Sequence, residues 1–140
     1  MQYFAYGSNM NLRQMQFRCP HAKLLGWGRI ENWQIVERMY ADIEYAEGKR
    51  VYGAVFEIAH EQDWHNLDLY EGYPSLYSRL RIDFFWGSTF RKSTAVVYMM
   101  TPRGRARGNG IPFDEEYRKI CAIGADECSL PVNFYRRGEK

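Results

Sequence analysis

The sequence predicts an α+β fold: a small mixed β-barrel of five to six strands with flanking short helices. Three observations predict it. The chain has 140 residues, the size of one ordinary domain spanning 1–140, and can bury a core without a disulfide or metal staple. Apolar and aromatic runs of strand length recur along it, whereas helical periodicity is confined to short windows. Aromatic residues make up 16% of the chain, led by 11 Tyr, and such rings suit both strand faces and the wall of a pocket.

The elements follow in order. Residues 1–6 are short, aromatic and apolar, as a buried strand requires, and the loop formers Gly7-Ser8-Asn9 stop them. Asn9 or Asn11 can cap a short helix running to about Arg18. Residues 24–40 form an interrupted strand, in which Gly26 and Gly28 predict a bulge or barrel corner. Residues 42–49 are polar and predict a loop. Residues 51–58 are apolar on both faces, so that strand is central.

Glu61 and Asp63 place acids in the first turn of a helix over 61–70, with Gly72 as its stop. Two strands follow, 77–86 and 94–100, with Gly87-Ser88 in the turn region between them. Residues 103–110 read as a Gly/Arg loop. Ile111-Pro112 opens a helix over 113–123, with Phe113, Tyr117, Ile120 and Cys121 at helical spacing. The tail to Lys140 ends in a short turn of helix.

Composition removes several classes of function. A net charge of +2 gives no reason for a broad basic face, so no nucleic-acid partner is expected. Hydrophobic residues at 46% exclude disorder, and a mean hydropathy of −0.55 without a long apolar run excludes a membrane span. Cys19, Cys121 and Cys128 are odd in number and widely spaced, as free thiols in a reducing compartment would be. The start of the chain lacks the charged and apolar regions of a signal peptide, so a cytoplasmic location is expected. His60 and His65 lack a third ligand in reach, and no CxxC spacing points to zinc.

Two features can carry chemistry. A strand ending in Gly-Ser-Asn and turning into a helix presents backbone N–H groups to one point, which suits a carboxylate or an oxyanion. The same residues fit a plain strand-to-helix turn capped by Ser8 or Asn9. On the helix over 61–70, Trp64, Leu67 and Glu71 sit at steps of three and four, which puts a carboxyl on the buried stripe at the helix C-terminus. Burial and the dipole there would both raise its pKa, as a general acid/base needs. The alternative is a last-turn Glu that swings out to solvent. Arg103, Arg105 and Arg107 offer either a phosphate grip or a solvated, mobile loop.

The start Tyr3-Phe4-Ala5-Tyr6-Gly7-Ser8-Asn9 resembles the signature of the γ-glutamylcyclotransferase family, within the AIG2-like superfamily. Three later stretches fit the same family in order: Val51-Tyr52-Gly53-Ala54-Val55-Phe56; Leu67-Asp68-Leu69-Tyr70-Glu71-Gly72 with Tyr77 beyond; and Tyr117-Arg118-Lys119-Ile120 leading to Gly124-Ala125 and Leu130-Pro131. Residues 24–49 show little match.

The resemblance implies a barrel whose cavity holds a γ-glutamyl group, and a reaction converting γ-glutamyl-amino acids into 5-oxoproline and the free amino acid. It makes Glu71 the catalytic residue and Tyr6, Gly7, Ser8 and Asn9 the loop that cradles substrate. Tyr77, Tyr98 and Tyr117 become pocket tyrosines, while Tyr3 and Tyr52 are assigned to packing. No metal and no cofactor is implied. The partner is a small γ-glutamyl substrate, with no membrane, and the protein is a monomer or homodimer. The alternatives are a related enzyme for γ-glutamylamines, glutathione or another γ-glutamyl compound, and a non-catalytic carboxylate-binding domain.

Overall fold

Five strands close into a mixed barrel in the order β1-β3-β2-β4-β5 in the computed structural model, which describes residues 1–136. Of the turn of helix expected in the tail after Pro131, residues 132–136 show a turn, with the Arg136 amide on the Asn133 carbonyl at 3.3 Å, and no helix; residues 137–140 lie outside the described residues. β1 (Gln2–Ala5) is the apolar start of the chain, and Phe4 within it is fully buried. It runs antiparallel to β3 (Tyr40–Glu57) and closes the barrel in parallel against β5 (Lys92–Met100), with Tyr3 opposite Val96. β2 (Lys23–Arg38) pairs along β3 and touches β4 (Tyr77–Trp86) through Gly28 opposite Trp86. β4 and β5 form a regular antiparallel hairpin.

The expected central strand 51–58 corresponds to the second half of β3, with β1 on one side and β2 on the other. Its apolar character on both faces follows from that position. Ile30, Val51, Val55, Phe84 and Val97 fill the interior. The bulge expected at Gly26 is present as a register shift between Leu24 and Gly26.

Residues 42–49 were expected to form a loop, and here the structure differs. Half of the segment, residues 42–45, pairs with β2 in the first half of β3, with Asp42 opposite Val36 and Glu44 opposite Gln34. Its polar groups are used inside the sheet: Arg38 donates to Asp42 at 2.6 Å and to Glu44 at 2.9 Å. Paired charges can occupy strand positions that a composition-based reading assigns to solvent. Residues 46–49 do bulge outward, opposite the single residue Asn32.

Helices flank the barrel. Asn11, rather than Asn9, caps α1 (Leu12–Arg18), accepting from the Gln14 amide at 3.2 Å. α2 (Glu61–Glu71) carries the expected acids in its first turn and ends on Gly72 at φ +70°, the left-handed conformation that glycine takes freely. The Gly/Arg segment expected as a loop forms a short helix, α3 (Pro102–Gly108), capped by the Thr101 side chain. α4 (Glu115–Glu127) starts two residues later than expected, because the Phe113 amide is held by Glu37 at 2.6 Å and Asp114 takes the cap position. Among the described residues, no helix is long and apolar enough to cross a membrane.

Candidate active site

The end of β1 delivers Tyr6 and the following loop to one end of the barrel. Gly7 leads a 3-10 turn over Ser8–Met10 that is buried throughout. Its first amides, those of Ser8 and Asn9, have no preceding carbonyl of the turn to bond and are available to an anion. The side chains of the loop are engaged elsewhere. Asn9 donates to the Tyr3 hydroxyl at 2.8 Å and accepts from Arg18, and the Ser8 hydroxyl lies 3.3 Å from that of Tyr70. Arg18 also lies over the Tyr70 ring, 3.2 Å from its centroid. α1 and α2 are thus clamped around the loop through a single guanidinium.

The stripe expected on α2 is present. Trp64 and Leu67 are buried, and Glu71, one turn on, lines the same cavity as the loop. Among the described residues, no hydrogen bond or ion pair engages the Glu71 carboxyl. Burial pushes its pKa up to about 7, against the opposing influence of the Arg18 cation. A carboxyl in this state exchanges its proton near neutral pH, and no internal bond must break first.

Tyrosines form the wall, and their hydroxyls are tied to the frame. Tyr6 donates to the Tyr98 carbonyl at 2.6 Å, Tyr77 to the Ala41 carbonyl at 2.8 Å, and Tyr98 to the Asp68 carboxylate at 2.6 Å. Tyr117 accepts from the Ala41 amide at 3.1 Å, while Tyr135 braces the loop from behind by donating to the Tyr6 carbonyl at 2.6 Å. Burial raises the pKa of Tyr6, Tyr77, Tyr98 and Tyr117, so these hydroxyls stay protonated and shape the cavity.

The cavity has a volume of about 270 Å³, and Tyr6, Gly7, Ser8, Asn9, Glu71, Tyr77, Tyr98 and Tyr117 all line it. The residues that the family resemblance assigned to the site are therefore brought to one place, whereas Arg103 and Arg105 are not among the lining residues. Six more border it: Tyr3, Tyr40, Ala41, Tyr70, Leu76 and Arg107. Tyr3, expected only to pack, contributes through its contact with Asn9. Tyr70 precedes Glu71 and carries no separate signal, Tyr40 ends the segment expected as a strand without one, and Arg107 comes from the segment expected as a loop. Among the described residues no cluster of His, Cys, Asp or Glu is arranged to hold a metal ion.

Comparison with known proteins agrees with this architecture. The family model described as gamma-glutamyl cyclotransferase, AIG2-like, matches residues 3–119. Gamma-glutamylcyclotransferases of Bos taurus and Homo sapiens are 24% and 26% identical, over 96% of this chain and 75% of theirs. An uncharacterized Homo sapiens protein of known structure superposes with a TM-score of 0.79 at 24% identity, covering 96% of this chain and 83% of that one. A structure titled gamma-glutamyl cyclotransferase gives 0.78 at 23% identity, with 94% and 81% coverage. These structures share the barrel. The match over residues 3–119 spans every strand and both features that line the cavity, so the chain belongs to the gamma-glutamyl cyclotransferase, AIG2-like family.

Proposed function

We propose that this protein is a γ-glutamylcyclotransferase-type enzyme, releasing 5-oxoproline from a γ-glutamyl amide by intramolecular aminolysis. One observation carries the reading: an unbonded carboxyl with a pKa near 7 shares a tyrosine-walled cavity with the Gly7-Ser8-Asn9 turn. The family match and the named relatives support the same class of chemistry.

The substrate supplies its own nucleophile, the α-amine, which is protonated at neutral pH. Glu71 as carboxylate takes a proton from the ammonium. The freed amine attacks the γ-carbonyl, forming the C–N bond of a five-membered ring and moving an electron pair onto the carbonyl oxygen. That oxygen pair returns, the old C–N bond breaks, and the leaving nitrogen receives the proton held by Glu71; the restored carboxylate then takes the second proton from the ring nitrogen and passes it to the departing amine, so a neutral lactam and an ammonium result. Electrons and protons balance without an enzyme nucleophile. Acid/base assistance of this kind contributes about 10²–10⁴ in rate.

The amides of Ser8 and Asn9, in a turn that is itself buried, serve the anionic oxygens at the glutamyl end, where hydrogen bonds gain strength over those in water. Folding the γ-chain into attack geometry inside a rigid wall contributes the entropic part. The three buried thiols fit a reducing compartment such as the cytoplasm.

The test is incubation with γ-glutamyl dipeptides, γ-glutamyl-lysine and glutathione, scored for 5-oxoproline. Release from at least one compound is expected. Silence across the panel, with carboxylates still binding, would make this a carboxylate-binding domain.

A further inference from the structure

Among the described residues, Glu71 is the only acid that lines the cavity and Arg107 the only cation. Arg107 comes from α3, the segment that the sequence presented as a loop. Three arginines lie on this helix, and the structure separates them. Arg105 turns inward, 3.7 Å from the fully buried Asp42 carboxylate. Arg103 is exposed and does not border the cavity. Arg107 is exposed at the cavity, and among the described residues no hydrogen bond, ion pair or ring contact engages its guanidinium.

The position of Arg107 is fixed by the seating of α3. A Cβ at Gly104 would run into the Leu76 carbonyl, and one at Gly108 into the Arg38 carbonyl. Only glycine at both places lets the helix lie this close to the start of β4 and the end of β2. Thr101 caps it and also donates to the Ser75 carbonyl at 2.6 Å. Arg38 donates to Asn109 at 2.7 Å just beyond its last turn. The guanidinium is thus mounted on a held backbone. It also borders a smaller apolar recess of about 40 Å³, shared with Tyr40, Leu76 and Tyr77.

We propose that Arg107 is a specificity-determining residue that reads a carboxylate on the leaving group. The proposal rests on the cyclotransferase reading above. A γ-glutamyl-amino acid carries two carboxylates, one at each end of the scissile amide, and the cavity offers two anion-binding features, the Ser8/Asn9 amides and Arg107. With the glutamyl end at the loop and Glu71, the far carboxylate meets the guanidinium. An unpaired arginine gains a charge-assisted bond there without breaking one inside the protein. A γ-glutamylamine with no carboxylate gains nothing from it.

The experiment compares γ-glutamyl-alanine, γ-glutamyl-alaninamide and γ-glutamyl-ethylamine, which share the reacting amide and differ in the far carboxylate. 5-Oxoproline release is measured for the wild type, Arg107→Gln and Arg103→Gln. Arg107→Gln is expected to lower kcat/KM on γ-glutamyl-alanine by about tenfold, while the two neutral substrates change by less than about twofold. Arg103→Gln is expected to leave all three unchanged. Equal losses on all three substrates would place Arg107 at the glutamyl end and overturn the assignment, and so would no loss on any. Absence of 5-oxoproline from every substrate would refute the catalytic reading instead. The charge preference is then decided by calorimetric affinities of the wild type and Arg107→Gln for γ-glutamyl-alanine and its amide. A preference for the acid that vanishes in the variant supports the assignment, and equal affinities overturn it.

Discussion

The last two turns of α2 carry one carboxylate each, and the two have opposite surroundings. Asp68 accepts from Tyr98 at 2.6 Å and from Nε and Nη2 of the Arg79 guanidinium at 3.0 and 2.6 Å. Glu71, three residues on, has no hydrogen bond among the described residues, and burial drives its pKa up to about 7. Asp68 is a strut that holds the cavity wall through Tyr98. Glu71 is left free to change its protonation state. On the reading proposed above, identical chemistry on a single helix divides into support and reactivity according to which carboxylate is satisfied.

Exchanging the two carboxylates for amides separates these roles most sharply. Glu71→Gln keeps the shape and removes the exchangeable proton, so 5-oxoproline release should fall by about 10²–10⁴. Asp68→Asn should keep activity within about tenfold, since Tyr98 is displaced but no proton is lost from the reaction. Equal losses in a steady-state assay of both variants would erase the distinction.

Stability should move the other way. The unfolded Glu71 ionises near its ordinary value of about 4.3, whereas the native one holds its proton to about 7. The stabilisation from that retained proton is present below the unfolded pKa and lost as pH rises through the native one. Glu71→Gln should therefore match the wild type near pH 4 and exceed it by on the order of 2 kcal/mol near pH 8. Asp68→Asn should cost about 1–3 kcal/mol at neutral pH through the weakened Arg79 and Tyr98 bonds. Urea unfolding at several pH values reads both.

A smaller effect is expected at Arg18, whose charge favours the ionised form of Glu71. Arg18→Gln should move the acid limb of kcat/KM to higher pH. Loss of its clamp on Asn9 and Tyr70 alone would lower the plateau without moving the limb.

The sequence disclosed those parts of the site where local pattern and tertiary role coincide. The first strand and its Gly-Ser-Asn stop are contiguous, and Glu71 shares a helical stripe with Trp64 and Leu67, so both were legible. The first half of β3 was hidden because Asp42 and Glu44 find partners across the sheet that composition cannot supply. α3 was hidden because Gly104 and Gly108 weaken helix propensity, while the carbonyls that demand them, those of Leu76 and Arg38, are distant in sequence. Arg107 reaches the cavity from α3, so its place there became visible only with the fold.

The pH dependence of kcat/KM for 5-oxoproline release from γ-glutamyl-alanine tests the role of Glu71 most directly. Below about pH 7 the rate constant should rise about tenfold per pH unit and then level, as the free enzyme's carboxyl loses its proton. A profile flat from about pH 5 to 8, or one breaking near the ordinary glutamate value of about 4.3, would contradict it.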